Sequence, residues 1–308
     1  MITGFYLSQL KGIPPGTGTA IRGEIMAGIP PGSARGEEEA MHVRRTAVAG
    51  TFYPASAAAL ERDLRKYIPD VADTREVKGL LAPHAGYIYS GAVAGEVYAG
   101  VRIPRRVIIL CPNHTGLGAP LAIMGDGAWE TPLGEVPLDD ETARRLTDRF
   151  PDLRVDTLAH SREHSLEVHL PFLRYLQPEL TFVPICLGTG RLPVLLELGD
   201  ALADTVGRMD EPALLVASSD MSHFEPDDIS RQKDSLAIAE MKALNPEGLH
   251  EVVNRENISM CGYAATVTVM QACRRLGATR GELVRYATSG EVSGDYSSVV
   301  GYAGLYFV

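Results

Sequence analysis

The sequence predicts an α/β fold, a single domain with a central, mostly parallel or mixed sheet flanked by helices. Three observations predict it. Apolar runs such as Val107-Ile108-Ile109-Leu110-Cys111 and Ala213-Leu214-Leu215-Val216-Ala217 show no polar alternation, as expected of strands buried on both faces. Such runs alternate with stretches of helical length and period. Several end in a turn that carries a histidine, and strand ends are where open α/β sheets place their functional crevice.

Taken in order, residues 1–40 stand apart. The phrase Gly12-Ile13-Pro14-Pro15-Gly16 recurs as Gly28-Ile29-Pro30-Pro31-Gly32, and that density of Pro and Gly argues against a packed element. The expectation is a flexible N-terminal extension, or an upstream stretch from a mis-assigned start, with the folded domain over 41–308. Residues 47–54 read as extended and 55–67 as a helix. A short buried strand over 77–81 leads to Pro83-His84-Ala85-Gly86, followed by a helix over 89–101. The strand over 107–111 ends in Pro112-Asn113-His114-Thr115-Gly116. Another short strand covers 121–124, residues 129–136 read as a loop with a turn, and 140–150 as an amphipathic helix. The stretch 160–176 carries Glu163-His164 and His169. A strand over 180–187 and a helix over 192–206 precede the strand 213–219, whose tip is Asp220-Met221-Ser222-His223. Helices over 227–244 and 246–253 follow. Met260-Cys261-Gly262 opens a helix reaching Leu276, and closing strands cover 283–288 and 299–308.

The net charge of −10 disfavours nucleic-acid binding, which needs a basic face to neutralise phosphates. No apolar run reaches the roughly 18 residues that span a bilayer, and the N-terminus lacks a signal-peptide layout. The four cysteines, Cys111, Cys186, Cys261 and Cys273, form no CxxC pair and read as reduced thiols, which implies a cytoplasmic protein.

The chemistry concentrates at the strand tips. His84, His114 and His223 follow three separate buried strands, which points to a metal or catalytic site. Imidazole suits iron, copper, zinc and nickel, so these residues do not name the metal. An anionic ligand could come from Asp220, Glu163, Glu167 or Cys261. Cys261 stands out, because a helix start favours a thiolate. Glu163 and His164 read as a ligand pair, as residues beside the metal, or as surface groups. HExxH, GxGxxG and P-loop patterns are absent, and Asp220 to His223 lacks the GxSxG elbow of a serine hydrolase.

APHAGYIYSG (82–91), CPNHTG (111–116), WETPLGEVPLD (129–139), EHSLEVHLPFL (163–173), SSDMSHFE (218–225) and SMCGYAA (259–265) together resemble the Memo family, over a span from about Arg44 to Val308. The resemblance implies a fold similar to the class III extradiol dioxygenases, which open catechol rings with non-haem Fe(II). It further implies His84, His114 and Cys261 as metal ligands and His223 as the acid/base, with Asp220 beside it. Glu163 and His164 would stand close to the metal. Fe(II) is the implied ion, and a thiolate ligand makes copper the alternative. A small phenolic substrate, or a peptide ligand gripped without turnover, would fill the pocket. Metal handling is a third implied role. Functional association with AMME-type and radical-SAM proteins also follows from the resemblance. Thr115 departs from it, since a second histidine often stands at that position.

Overall fold

Four strands side by side and all parallel make the centre of the sheet, and their carboxyl ends face one crevice. The structure is a computed structural model that describes residues 42–308. The expectation for residues 1–40 lies outside the described residues. The strands are β1 (Val43–Arg44), β2 (Gly79–Ala82), β3 (Arg106–Pro112), β4 (Leu121–Ile123), β5 (Ala128–Thr131), β6 (Gly134–Pro137), β7 (Arg154–Val155), β8 (Thr181–Leu187), β9 (Ala213–Ser218), β10 (His223–Glu225), β11 (Gly281–Thr288) and β12 (Val299–Phe307). The helices are α1 (Ala57–Tyr67), α2 (Tyr87–Ala99), α3 (Asp140–Arg149), α4 (His164–Glu167), α5 (Leu170–Leu176), α6 (Leu192–Val206), α7 (Asp227–Lys242), α8 (Pro246–Arg255), α9 (Tyr263–Arg275) and α10 (Gly290–Ser293).

The main sheet runs β10-β12-β2-β9-β3-β8-β4-β7, with β11 also paired to β12. The pairs β2–β9, β9–β3 and β3–β8 are parallel, and antiparallel strands flank them through β2–β12 and β8–β4. The expected mixed sheet with a parallel centre is therefore present. A small second sheet, β1-β5-β6, lies apart. Among the described residues no helix is long and apolar enough to cross a membrane.

Period-two alternation along the central strands builds two cores. Leu215 and Ala217 point into one with Ile108, Leu110 and residues of α6 and α9. Leu214 and Val216 point into the other with Val107, Ile109 and residues of α1, α2 and α5. This explains why the strands read as unbroken apolar runs: neither face meets water.

Three local expectations change. Residues 129–136 form the hairpin β5–β6, not a loop. Its two-residue connection, Pro132-Leu133, is closed by Thr131 Oγ1, which donates to the Gly134 carbonyl at 2.6 Å. Gly134 has φ +106, open to glycine and strained for other residues. Residues 47–54 are not extended but fold into turns, with Gly50 N–H donating to Tyr53 O at 2.7 Å. The cause is a buried carboxylate, Glu167, which gathers Ala47 N–H, Val48 N–H and the Tyr53 hydroxyl. The helix expected from Met260 starts later, at Tyr263, with Gly262 as its cap, so Cys261 stands just ahead of it.

Candidate metal centre

β9 lies between β2 and β3, so the tips of these three strands are neighbours by construction. His84 follows β2, His114 follows β3, and Asp220 to His223 follow β9. The fourth contribution comes from the other side, where α4 begins at His164. His84, His114 and His164 bring ring nitrogens within 4.8 Å of one another, close enough for one metal ion. The rings of His114 and His164 stack at 4.8 Å between centroids, and both meet His84 edge-on.

Cys261 joins this group. Its Sγ lies 3.2 Å from His84 Nε2 and accepts the Asp220 N–H at 3.3 Å. Gly262 makes this seat possible: a Cβ there would lie 2.0 Å from the Ser218 carbonyl oxygen and 2.6 Å from Ser219 Cβ. Only glycine lets the start of α9 press against the end of β9. The Gly262 N–H is then satisfied by Ser219 Oγ at 2.8 Å.

Glu163 is fully buried and caps α4. Its carboxylate accepts the His114 backbone N–H at 2.6 Å, His114 Nδ1–H at 2.9 Å, and the backbone and hydroxyl of Ser165 at 3.0 and 2.7 Å. Burial opposes its charge, yet these donors, His114 first, hold its pKa down to about 2. Burial likewise opposes charge on His114, but the hydrogen bonds to Cys261 and Glu163 prevail and push its pKa up to about 11. His84 and His164 are pushed the other way by burial, His164 to about 4. The pocket thus holds neutral imidazoles beside groups that favour a positive charge, which suits a cation.

Asp220 is buried and accepts the His84 backbone N–H at 2.8 Å through Oδ1. Burial raises its pKa. His223 donates its backbone N–H to Ser259 Oγ at 2.7 Å, and its Nδ1 meets the Ser259 carbonyl at 2.9 Å. Its nearness to His84 and Asp220 is felt in the ionisation of both. The next residue, Phe224, adopts φ +61, a strained backbone for a residue with a side chain.

Glu167, one of the candidate anions, is not at the crevice. It pairs with Arg44 at 2.6 Å in a buried ion pair. Arg44 also donates to the carbonyls of His160 at 2.7 Å and Glu163 at 2.8 Å, and lies over the Trp129 ring. This clamp fixes the loop that presents Glu163 and His164. No residue pattern announces Arg44 as a partner of that loop, because the two are 123 residues apart from Arg44 to Glu167.

An α/β sheet whose parallel strand tips and neighbouring helix starts gather three imidazoles and a thiol defines an α/β protein with a candidate metal site. The sequence relationships are more specific. A family model described as Memo-like protein matches residues 44–306, so the chain belongs to the Memo-like family. It is 44% identical to a MEMO1 family protein of Methanopyrus kandleri, covering 86% of this chain and 98% of that protein. It is 42% identical to a MEMO1 family protein of Aquifex aeolicus, covering 87% of this chain and 100% of that one. In fold, it matches the crystal structure of an uncharacterized Escherichia coli K12 protein with a TM-score of 0.52, at 14% identity, over 74% of this chain and 99% of the other.

Proposed function

We propose that this protein is a metal-dependent oxidoreductase of the extradiol-dioxygenase type, with Fe(II) as its ion and copper as the alternative. The observation that carries the reading is the cluster of His84, His114 and His164, whose ring nitrogens lie within 4.8 Å of one another, with Cys261 Sγ 3.2 Å from His84 Nε2. His84, His114 and Cys261 are the proposed ligands, and His164 lies close enough to join them. An iron or copper ion held there would bind O2 and substrate side by side and let electrons pass from the substrate to O2, and the soft sulfur of Cys261 would shift its preference towards copper.

The remaining roles belong to the chain itself. Glu163 orients His114 by taking its Nδ1–H, so that Nε2 is the ring nitrogen that would meet the ion. In its neutral form His223 donates Nδ1–H to the Ser259 carbonyl, so Nε2 carries the lone pair. That nitrogen would take the proton of a substrate hydroxyl, as a general base requires. Asp220 holds the His84 backbone by accepting its N–H at 2.8 Å. A small phenolic or enolate-like molecule is the proposed substrate, because its acidic hydroxyl matches that base.

The test is anaerobic purification with metal analysis, Fe(II) reconstitution, and O2 uptake with a panel of catechols. Expected are one bound ion per chain and substrate-dependent uptake. His223→Ala should retain the ion and lose turnover, whereas Cys261→Ala should lose both. Turnover that survives both substitutions, or protein that binds no Fe(II) or copper on titration, overturns the proposal.

A further inference from the structure

Behind the crevice runs a line of buried polar groups that the ion itself would not touch. Ser218, the last residue of β9, is fully buried, and its hydroxyl meets three partners. It donates to the Ser165 carbonyl at 2.6 Å. It lies 2.7 Å from His84 Nδ1 and 2.8 Å from His169 Nε2. On the far side, the Tyr98 hydroxyl lies 2.9 Å from His169 Nδ1.

The proton positions in this line follow by counting. A serine hydroxyl has one proton and two lone pairs. Two oxygens 2.6 Å apart need that proton between them, and the Ser165 carbonyl has none to give. Ser218 therefore spends its proton on Ser165 and must accept from both rings. His84 then carries its proton on Nδ1, and His169 carries its proton on Nε2. His169 Nδ1 is left as an acceptor, which the Tyr98 phenol fills. Every donor and acceptor in the line is satisfied in only this arrangement.

We propose that Ser218, oriented by Ser165 and backed by His169 and Tyr98, is a positioning residue that locks His84 in the Nδ1–H tautomer and so dedicates His84 Nε2 to the metal. The inference rests on the metal reading above for its consequence, but not for the tautomer. It gives His84 the counterpart of what Glu163 gives His114. A hydroxyl is a weaker partner than a carboxylate, so His84 is held in place without gaining basicity. The two imidazoles are thereby made unequal: one backed by an anion, the other by a neutral hydroxyl.

The direct test is nitrogen-15 NMR of histidine-labelled, metal-free protein at neutral pH. A protonated Nδ1 with a bare Nε2 on His84 is expected, and a protonated Nε2 overturns the proposal. The second arm measures Fe(II) affinity anaerobically in Ser218→Ala and Ser218→Thr. Ser218→Ala should bind roughly 10–100-fold more weakly, while Ser218→Thr, which keeps the hydroxyl, should recover most of the loss. Unchanged affinity in Ser218→Ala also overturns the proposal. Should Ser218→Ala fail to fold, the nitrogen-15 pattern of the wild type decides the proposal by itself. Should the wild type bind no metal, the functional reading falls, and the NMR pattern alone still decides the tautomer.

Discussion

His114 and Glu163 are joined twice at the centre, through the His114 backbone and ring, and their chemistry is set by one carboxylate with four donors. Glu163→Gln keeps the shape but replaces one acceptor oxygen with a donor and removes the charge behind His114. Metal affinity should fall about 10–100-fold, measured by competition with a chelator of known strength. His84 and His114 were legible in the sequence because each follows a buried strand and a proline, a pattern that strand geometry turns into a shared edge. Cys261 was legible by its place before a helix. His164 was harder to place, since nothing in Glu163-His164 says which of the two side chains faces the crevice; the cap at Glu163 decides it. Ser218 and His169 carried no signal of their own. A serine at the end of an apolar strand and a histidine between two short helices look structural until the fold puts them 2.8 Å apart.

At the scale of elements, the β1 clamp and the start of α9 hold the centre from opposite sides. Arg44 joins β1 to the loop before α4 through two carbonyls and the Glu167 carboxylate. Arg44→Met leaves that carboxylate buried without its counter-charge, which should destabilise the fold by roughly 3–5 kcal/mol, read from urea unfolding. Gly262→Ala would drive a methyl into the β9 backbone. The expected outcome is displaced Cys261, loss of any metal–thiolate absorption band, and lowered stability, all visible in one spectroscopic titration. His169 makes stability depend on pH. Burial holds its folded pKa down to about 3, below the unfolded value near 6.5, so the folded ring stays neutral where the unfolded one takes a proton. Its contribution is complete above about pH 6.5 and is lost as pH falls towards 3. Unfolding at pH 7 and pH 5 should show a smaller drop for His169→Gln than for the wild type. The β5–β6 hairpin escaped the sequence reading because Pro and Gly dominate its turn, while its strands are only four residues each. The turns over 47–54 escaped it because Glu167, far along the chain, imposes them.

For the whole molecule, the alternating buried runs were enough to predict the sheet, because only a sheet covered on both faces hides such runs from water. The order β2-β9-β3, which puts the three tips together, could not be read from alternation alone, since many strand orders bury the same residues. A ligand that binds only the folded chain stabilises all of it. Fe(II) at a hundredfold excess over its dissociation constant should raise the unfolding free energy by about 2.7 kcal/mol, and chelation should reverse it, as followed by thermal denaturation under nitrogen.

The separation of the ligands along the chain has a consequence in time. His84 and Cys261 touch across 177 residues, and β9, which seats both, lies between them in sequence. During synthesis the histidines emerge long before the thiol and before the strand that aligns them. No fragment that ends before Cys261 can bring the thiol to His84, so an ion held as proposed would meet its full set of ligands only in the finished sheet.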